Sequence, residues 1–184
     1  MSERCALLLR AVNVSGRNRV PMAELRALLA ARTSLRNVST YIASGNVIAD
    51  VTAEIDATCA QLRRLIHEEF DVDTPVIART HGELVTALGA NPFPDAVAEK
   101  MLHVMFLEGA PLEGAEERLR PRLLPGERIA LIGKDLWIDY DGAGAANTKL
   151  TKTVLDRALG VSGTGRNLLT LRKLVELTAP TAAT

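Results

Sequence analysis

The hydrophobic positions follow two patterns, short runs typical of buried strands and three- and four-residue spacings typical of helices. In the first half, β-branched runs flank Ser44-Gly45-Asn46, a turn signal that predicts a hairpin. Pro21 falls at a predicted helix start, where its missing N-H costs nothing. Strands are predicted over residues 5–12, 38–43, 47–51 and 75–78, and helices over 20–31 and 55–70. The predicted order is therefore β-α-β-β-α-β.

The second half repeats most of this order after a connecting helix. Thr80-His-Gly-Glu83 has the spacing of a capping box and predicts the start of that helix, which ends before Asn91-Pro-Phe-Pro94. Strands are predicted over residues 102–107, 128–132 and 136–140, and helices over 113–119 and 149–159, with a final helix carrying Leu171, Leu174 and Val175. In place of a last strand, residues 162–167 predict a turn.

The element order predicts an α+β fold of two related β-α-β-β-α half-units in ferredoxin-like order, with mostly antiparallel sheets and a C-terminal helix. This repetition indicates a structural duplication. We expect a first half over residues 1–79, a connecting helix and proline-rich break over 80–100, a second half over 101–178 and a flexible tail over 179–184.

Composition narrows the class of protein. The 184 residues are 47% hydrophobic and 24% charged, which is typical of a globular protein and excludes disorder, collagen and membrane-spanning architectures. The formal net charge is zero, but residues 1–50 carry seven basic and three acidic side chains, and residues 147–184 carry six and two. The middle of the chain is correspondingly acidic, so any anion site must be local to the basic ends.

Cysteine and histidine spacing gives no metal site. Cys5 and Cys59 are far apart in apolar surroundings, which indicates core thiols in a reducing cytoplasm. The three histidines are isolated, and we expect no metal and no cofactor. Aromatic residues make up only 3% of the chain, so nucleic-acid binding by base stacking is not favoured. No signal indicates a membrane partner or an oligomeric state.

Four clusters of Gly, Asn, Ser and Thr form the main functional lead, because three of them contain Arg or Lys at predicted strand ends or helix starts. Loops of this kind suit phosphate or carboxylate groups, since helix N-termini expose unpaired N-H groups. The same residues are also the usual caps and turn formers. The candidate ligand-binding residues are Arg10, Asn13, Gly16, Arg17, Ser44, Gly45, Asn46, Lys149, Thr164, Gly165, Arg166 and Asn167.

The chain also resembles a known family through five motifs in order. They are Leu8-Leu9-Arg10-Ala-Val-Asn13-Val-Ser-Gly16-Arg-Asn18-Arg-Val20-Pro21-Met22, Thr40-Tyr41-Ile42-Ala-Ser44-Gly45-Asn46-Val47, Ala90-Asn91-Pro92-Phe93, Thr148-Lys149-Leu150-Thr151, and Gly163-Thr-Gly-Arg166-Asn167 followed by Leu171-Arg172-Lys173-Leu174. This set is similar to the bacterial family catalogued as domain of unknown function sixteen ninety-seven. The resemblance implies an α+β fold of two related halves and no established activity.

The leading hypothesis is a bacterial, cytoplasmic protein that binds a small phosphorylated or anionic ligand through its basic loops. An enzyme acting on a small phosphorylated substrate is an alternative, although no catalytic base or nucleophile can be assigned from spacing. A protein-interaction or scaffold module is a second alternative, in which basic ends would meet the acidic middle of a neighbouring copy.

Overall fold

A computed structural model describes residues 2–141 and 144–180 of the chain. Its contacts divide the chain into two compact units, the first comprising residues up to Val85 together with those from Leu174 onward, the second comprising Thr86–Lys173. Of the expected tail, residues 181–184 lie outside the described part. Within the described ranges, no helix combines the length and apolar character needed to span a membrane.

The first unit contains a four-stranded antiparallel sheet in the order β2-β3-β1-β4. Its elements are β1 (Glu3–Leu9), α1 (Met22–Arg32), β2 (Arg36–Tyr41), β3 (Asn46–Val51), α2 (Ile55–Phe70), β4 (Val76–Thr80) and most of α3 (His81–Gly89). The capping box is confirmed, because Thr80 N donates to Glu83 Oε2 at 2.8 Å and Glu83 N donates to Thr80 Oγ1 at 3.2 Å. The predicted β-α-β-β-α-β order is confirmed here.

The second unit contains a four-stranded antiparallel sheet in the order β6-β7-β5-β8. Its elements are β5 (Leu102–Leu107), α4 (Ala115–Leu119), a 3-10 turn (Arg120–Arg122), β6 (Arg128–Ile132), β7 (Asp135–Asp139), α5 (Lys152–Leu159), β8 (Gly163–Asn167) and the first part of α6 (Leu168–Thr178). Both units thus have the same strand connectivity. The α+β class and the duplicated layout are confirmed.

The turn predicted at residues 162–167 is wrong, because residues 163–167 form strand β8 and pair with β5. Glycine is a poor strand former, so Gly163 and Gly165 favour a turn when the sequence is read alone. Packing requires a glycine at the first of these positions. A Cβ at Gly163 would lie 2.8 Å from Leu107 Cδ2 and 2.8 Å from Met105 Cγ, so only glycine lets β8 approach β5.

Each unit has its own hydrophobic core between sheet and helices. In the first unit, Leu7 and Leu9 of β1 pack with Leu25 and Leu29 of α1 and with Leu62 of α2, all fully buried. In the second unit, the core joins β5 and β7 to α4 and α5. Alternate residues of a strand point to opposite faces, so β8 turns Gly163, Gly165 and Asn167 to one face and Thr164 and Arg166 to the other.

Candidate functional site

The loop after β1 is held together by the side chain of Asn13. Its Nδ2 donates to Val20 O at 2.9 Å and to Ala43 O at 2.7 Å, and its Oδ1 accepts from Val20 N at 2.9 Å. The amide therefore ties the loop to the start of α1 and to the β2–β3 turn. Both donor hydrogens are already used within the protein, so a ligand contact through Asn13 Nδ2 would compete with these bonds.

The backbone of this loop is unusual. Ala11, Asn13, Ser15, Gly16 and Asn18 all have positive φ, a region that side chains other than Asn and Gly rarely adopt. Such strain persists only where surrounding bonds fix the chain, and the Asn13 amide supplies three of them.

The β2–β3 turn is a packed element. Asn46 is fully buried, and its Nδ2 donates to Tyr41 O at 2.9 Å and to Ser44 Oγ at 3.1 Å. Gly45 has φ +84°, and a Cβ there would lie 2.7 Å from Leu9 Cβ. Gly45 O accepts from Leu9 N at 2.8 Å, so the turn lies directly against the end of β1.

The backbone of Arg10 is hydrogen-bonded to the side chain of Thr74. Arg10 N donates to Thr74 Oγ1 at 3.0 Å, and Thr74 Oγ1 donates to Arg10 O at 2.7 Å. Arg17, another candidate ligand-binding residue of the first unit, is exposed to solvent. The Asn13 amide brings two sequence clusters together, the loop after β1 and the β2–β3 turn.

The two C-terminal clusters cap helices. Thr151 is the N-cap of α5 and accepts from Val154 N, while Asn167 Oδ1 accepts from Thr170 N at 2.9 Å at the start of α6. Lys149 is exposed just before α5. These contacts show the capping role, and ligand binding by the same residues stays a prediction.

Arg166 is a buried arginine on β8. Its guanidinium donates to Thr164 Oγ1 at 2.7 Å and to Gly165 O at 2.8 Å. Burial lowers the pKa of Arg166 to about 10, because a low-dielectric environment disfavours the charged form. The guanidinium still carries its charge at neutral pH.

A cluster of arginines that the sequence reading missed lies between α4, the following 3-10 turn and α5. Arg118, Arg122 and Arg157 line a pocket of about 140 Å³ together with Thr153, Val154 and Ala158. All three arginines are exposed. Arg118 is held in place because its guanidinium donates to Glu113 O at 2.8 Å and to Ala158 O at 2.9 Å. We call this the arginine pocket.

The three arginines of the arginine pocket form no ion pair within the described part of the chain. Across residues 2–141 and 144–180, no ion pair joins Arg118, Arg122 or Arg157 to an acidic side chain. Other arginines of the same unit are paired: Arg120 contacts Glu116, and Arg128 contacts Asp139 at 2.6 Å. Three unneutralised guanidiniums around one concavity are suited to phosphate or carboxylate.

The signal for this pocket was weak in the sequence. Arg118 and Arg122 are four residues apart, as are Thr153 and Arg157, so each pair lies on one face of a helical turn. Nothing in the spacing shows that the two faces meet. The overall acidity of the chain's middle also favours an anion site at the basic ends over one in this region.

Metal and thiol chemistry find no support in the described part of the chain. No group of three or more His, Cys, Asp or Glu residues converges there. Cys5 and Cys59 form no disulfide bond, and burial raises the pKa of the Cys5 thiol to about 12. A thiol with so high a pKa is a poor nucleophile at neutral pH, in keeping with its predicted place in the core.

Comparison with known proteins identifies the family. The family model described as "Protein of unknown function (DUF1697)" matches residues 1–137. The chain belongs to this family. The resemblance inferred from the five sequence motifs is thus confirmed, and membership in DUF1697 carries no assigned activity.

A solved structure supports the fold of this DUF1697 protein. The conserved bacterial protein SP0830 from Streptococcus pneumoniae is similar with a TM-score of 0.75 and 22% sequence identity, and the match covers 97% of this chain and 99% of that one. At this identity the likeness shows the fold alone. No match is found among proteins of curated function.

Proposed function

We propose that this protein binds a small phosphorylated or otherwise anionic molecule, and that the arginine pocket is the principal contact. The observation that carries the proposal is the set of three guanidiniums around one pocket of about 140 Å³ without a carboxylate partner among the described residues. Like charges held close together repel each other, and a bound anion relieves this repulsion.

The chemistry of the lining favours a phosphate group over a bare apolar ligand. Arg122 and Arg157 present planar forks that match two phosphate or carboxylate oxygens, and Thr153 adds a hydroxyl. Val154 and Ala158 supply apolar surface for the uncharged part of the molecule. The basic loops predicted from sequence remain a second location, with exposed Arg17 and Lys149 as their available cations.

A calorimetric titration tests the proposal with inorganic phosphate, a sugar phosphate and a nucleoside monophosphate as probes. We expect the double variant Arg122→Gln/Arg157→Gln to weaken binding by at least about tenfold, since a hydrogen bond to a charged group contributes about 1.5–3 kcal/mol. Arg120→Gln is the matched control, because Arg120 lies in the same turn but pairs with Glu116.

Two outcomes oppose the proposed location or the proposed function. If Arg17→Gln or Lys149→Gln abolishes binding while the double variant binds normally, the anion site lies in the sequence-predicted loops. If no probe binds the wild-type protein at millimolar concentration and low salt, the anion-binding function is wrong.

We also propose that the protein is bacterial and resides in the cytoplasm. The support is that Cys5 and Cys59 form no disulfide bond, and that the chain shares its fold with a conserved bacterial protein of Streptococcus pneumoniae. Fractionation of cells expressing the tagged full chain tests the location, and recovery in the periplasm or medium would contradict it.

A further inference from the structure

A second pocket lies in the same unit, on the face of the β6-β7-β5-β8 sheet that packs against α5. It has a volume of about 220 Å³, and its lining includes His103, Met105, Tyr140, Leu155 and Gly165. For comparison, an engineered apolar cavity of about 150 Å³ holds a benzene molecule. We call it the Tyr140 pocket, and it has room for one substituted ring.

A glycine on β8 keeps this pocket open. Gly165 lies opposite Met105, and a Cβ built on Gly165 would meet no atom within 4 Å. Gly163, on the same face, differs, since a Cβ there would clash with Met105 and Leu107. Close packing therefore explains Gly163 but not Gly165, whose missing side chain leaves space.

Two polar side chains in the Tyr140 pocket have no protein partner. Tyr140 is only 7% exposed, and its ring meets the His103 ring edge-on at 5.1 Å between centroids. Within the described residues, no hydrogen bond joins the Tyr140 hydroxyl or either His103 ring nitrogen to another protein group. Among the described residues, the polar side-chain atoms that are fully buried without a partner are Glu127 Oε1 and Trp137 Nε1. The polar atoms of Tyr140 and of half-buried His103 are therefore reached from the open space of the pocket, where a ligand can bond to them.

The pocket is electrically neutral at physiological pH. Burial lowers the pKa of His103 to about 4, so its imidazole is uncharged and offers one donor and one acceptor. Burial together with the charge of Glu127 raises the pKa of Tyr140 to about 12, so the phenol keeps its proton. The remaining lining is apolar, including Met105, Ile138 and Leu155.

From this arrangement we infer that the Tyr140 pocket binds a small uncharged molecule built on one aromatic or heteroaromatic ring, with a hydroxyl or amide group hydrogen-bonded to Tyr140 and His103. This ligand differs in class from the anion of the arginine pocket. The two proposals therefore rest on separate observations and can be tested independently.

Chemical-shift mapping tests the inference with phenol, benzamide and benzoate as probes on the full chain. We expect phenol and benzamide to shift the resonances of His103, Tyr140 and Gly165, and benzoate to bind at least about tenfold more weakly because its charge must be desolvated. Gly165→Val should abolish these shifts by filling the space, while its melting temperature stays at or above that of the wild type. Tyr140→Phe should weaken binding by about tenfold through loss of one hydrogen bond.

Three results would overturn the inference. One is the absence of shifts at these residues with every probe, which would leave a pocket occupied by water alone. Another is unchanged binding to Gly165→Val. The third is tighter binding of benzoate than of benzamide, which would make this pocket an anion site.

Discussion

Removing the Asn13 side chain separates a structural role from a ligand-binding one. Asn13→Gly eliminates three hydrogen bonds of 2.7 to 2.9 Å, one of which satisfies the backbone N-H of the fully buried Val20. A net value of about 1 kcal/mol for each bond gives a loss of about 3 kcal/mol. Glycine suits the positive φ of this position, so the substitution adds no backbone strain.

Asn18→Gly is the matched control for this loss. Asn18 also has positive φ, but its side chain makes one exposed bond, to Ala11 O at 3.0 Å. The conformational freedom that glycine adds to the unfolded chain is common to both variants. We expect the control to lose about 1 kcal/mol.

Urea unfolding followed by circular dichroism measures the difference. With an m value of about 2 kcal/mol/M, the two variants should differ in midpoint by about 1 M. Equal midpoints would refute the structural reading of the Asn13 amide. A further result, loss of phosphate affinity in Asn13→Gly at unchanged stability, would instead assign the amide to ligand binding.

Two other predictions concern packing and pH. Gly45→Ala should lower the free energy of unfolding by about 2–5 kcal/mol, because a Cβ at 2.7 Å from Leu9 Cβ adds a clash to the cost of positive φ. Gly16→Ala, which has open space around it, should lower it by only about 1–2 kcal/mol. Thermal melts measure both losses, and equal losses would show that the β2–β3 turn relaxes around the new Cβ. Lowering the pH from 7 to 5 should reduce the free energy of unfolding by about 2 kcal/mol through His103. In the unfolded chain its imidazole has the ordinary pKa of 6.5 and binds a proton over this range, whereas in the folded protein its pKa is about 4 and it stays neutral. The urea midpoint should therefore fall less between pH 7 and pH 5 in His103→Phe than in the wild type. An identical fall in the two proteins would contradict the lowered pKa of His103.

Local patterns predicted most of the fold because they act over a few residues. The predicted bounds of β5 and β6 agree with the structure, since each strand is a short apolar run between clear breaks. The capping box at Thr80 and Glu83 was equally legible, because both of its bonds lie within four residues. Strand β8 was missed because Gly163 is required by its contacts with the neighbouring strand β5, which no local pattern reveals.

The candidate site was harder to predict because charge balance is a property of the folded chain. The four-residue spacing of Glu116 and Arg120 predicts their ion pair, whereas the lack of a carboxylate partner for Arg122 among the described residues depends on which elements pack around it. The meeting of His103 and Tyr140 likewise depends on the pairing of β5 with β7. The sequence clusters of Asn and Gly correctly indicated helix caps and turns. They did not indicate which Arg and Lys side chains lack a carboxylate partner and can bind an anion.

Helix α6 affects the order in which the protein can fold during synthesis. Its last part, from Leu174, belongs to the first unit, where Leu177 O accepts from Arg4 Nε at 3.1 Å and Thr178 Oγ1 lies 3.1 Å from His81 Nδ1. These residues are translated long after Val85. At roughly 5–20 residues per second, the delay is on the order of 4–18 seconds. During that time the nascent first unit lacks the last part of α6. The whole second unit is therefore synthesised before the first unit is complete.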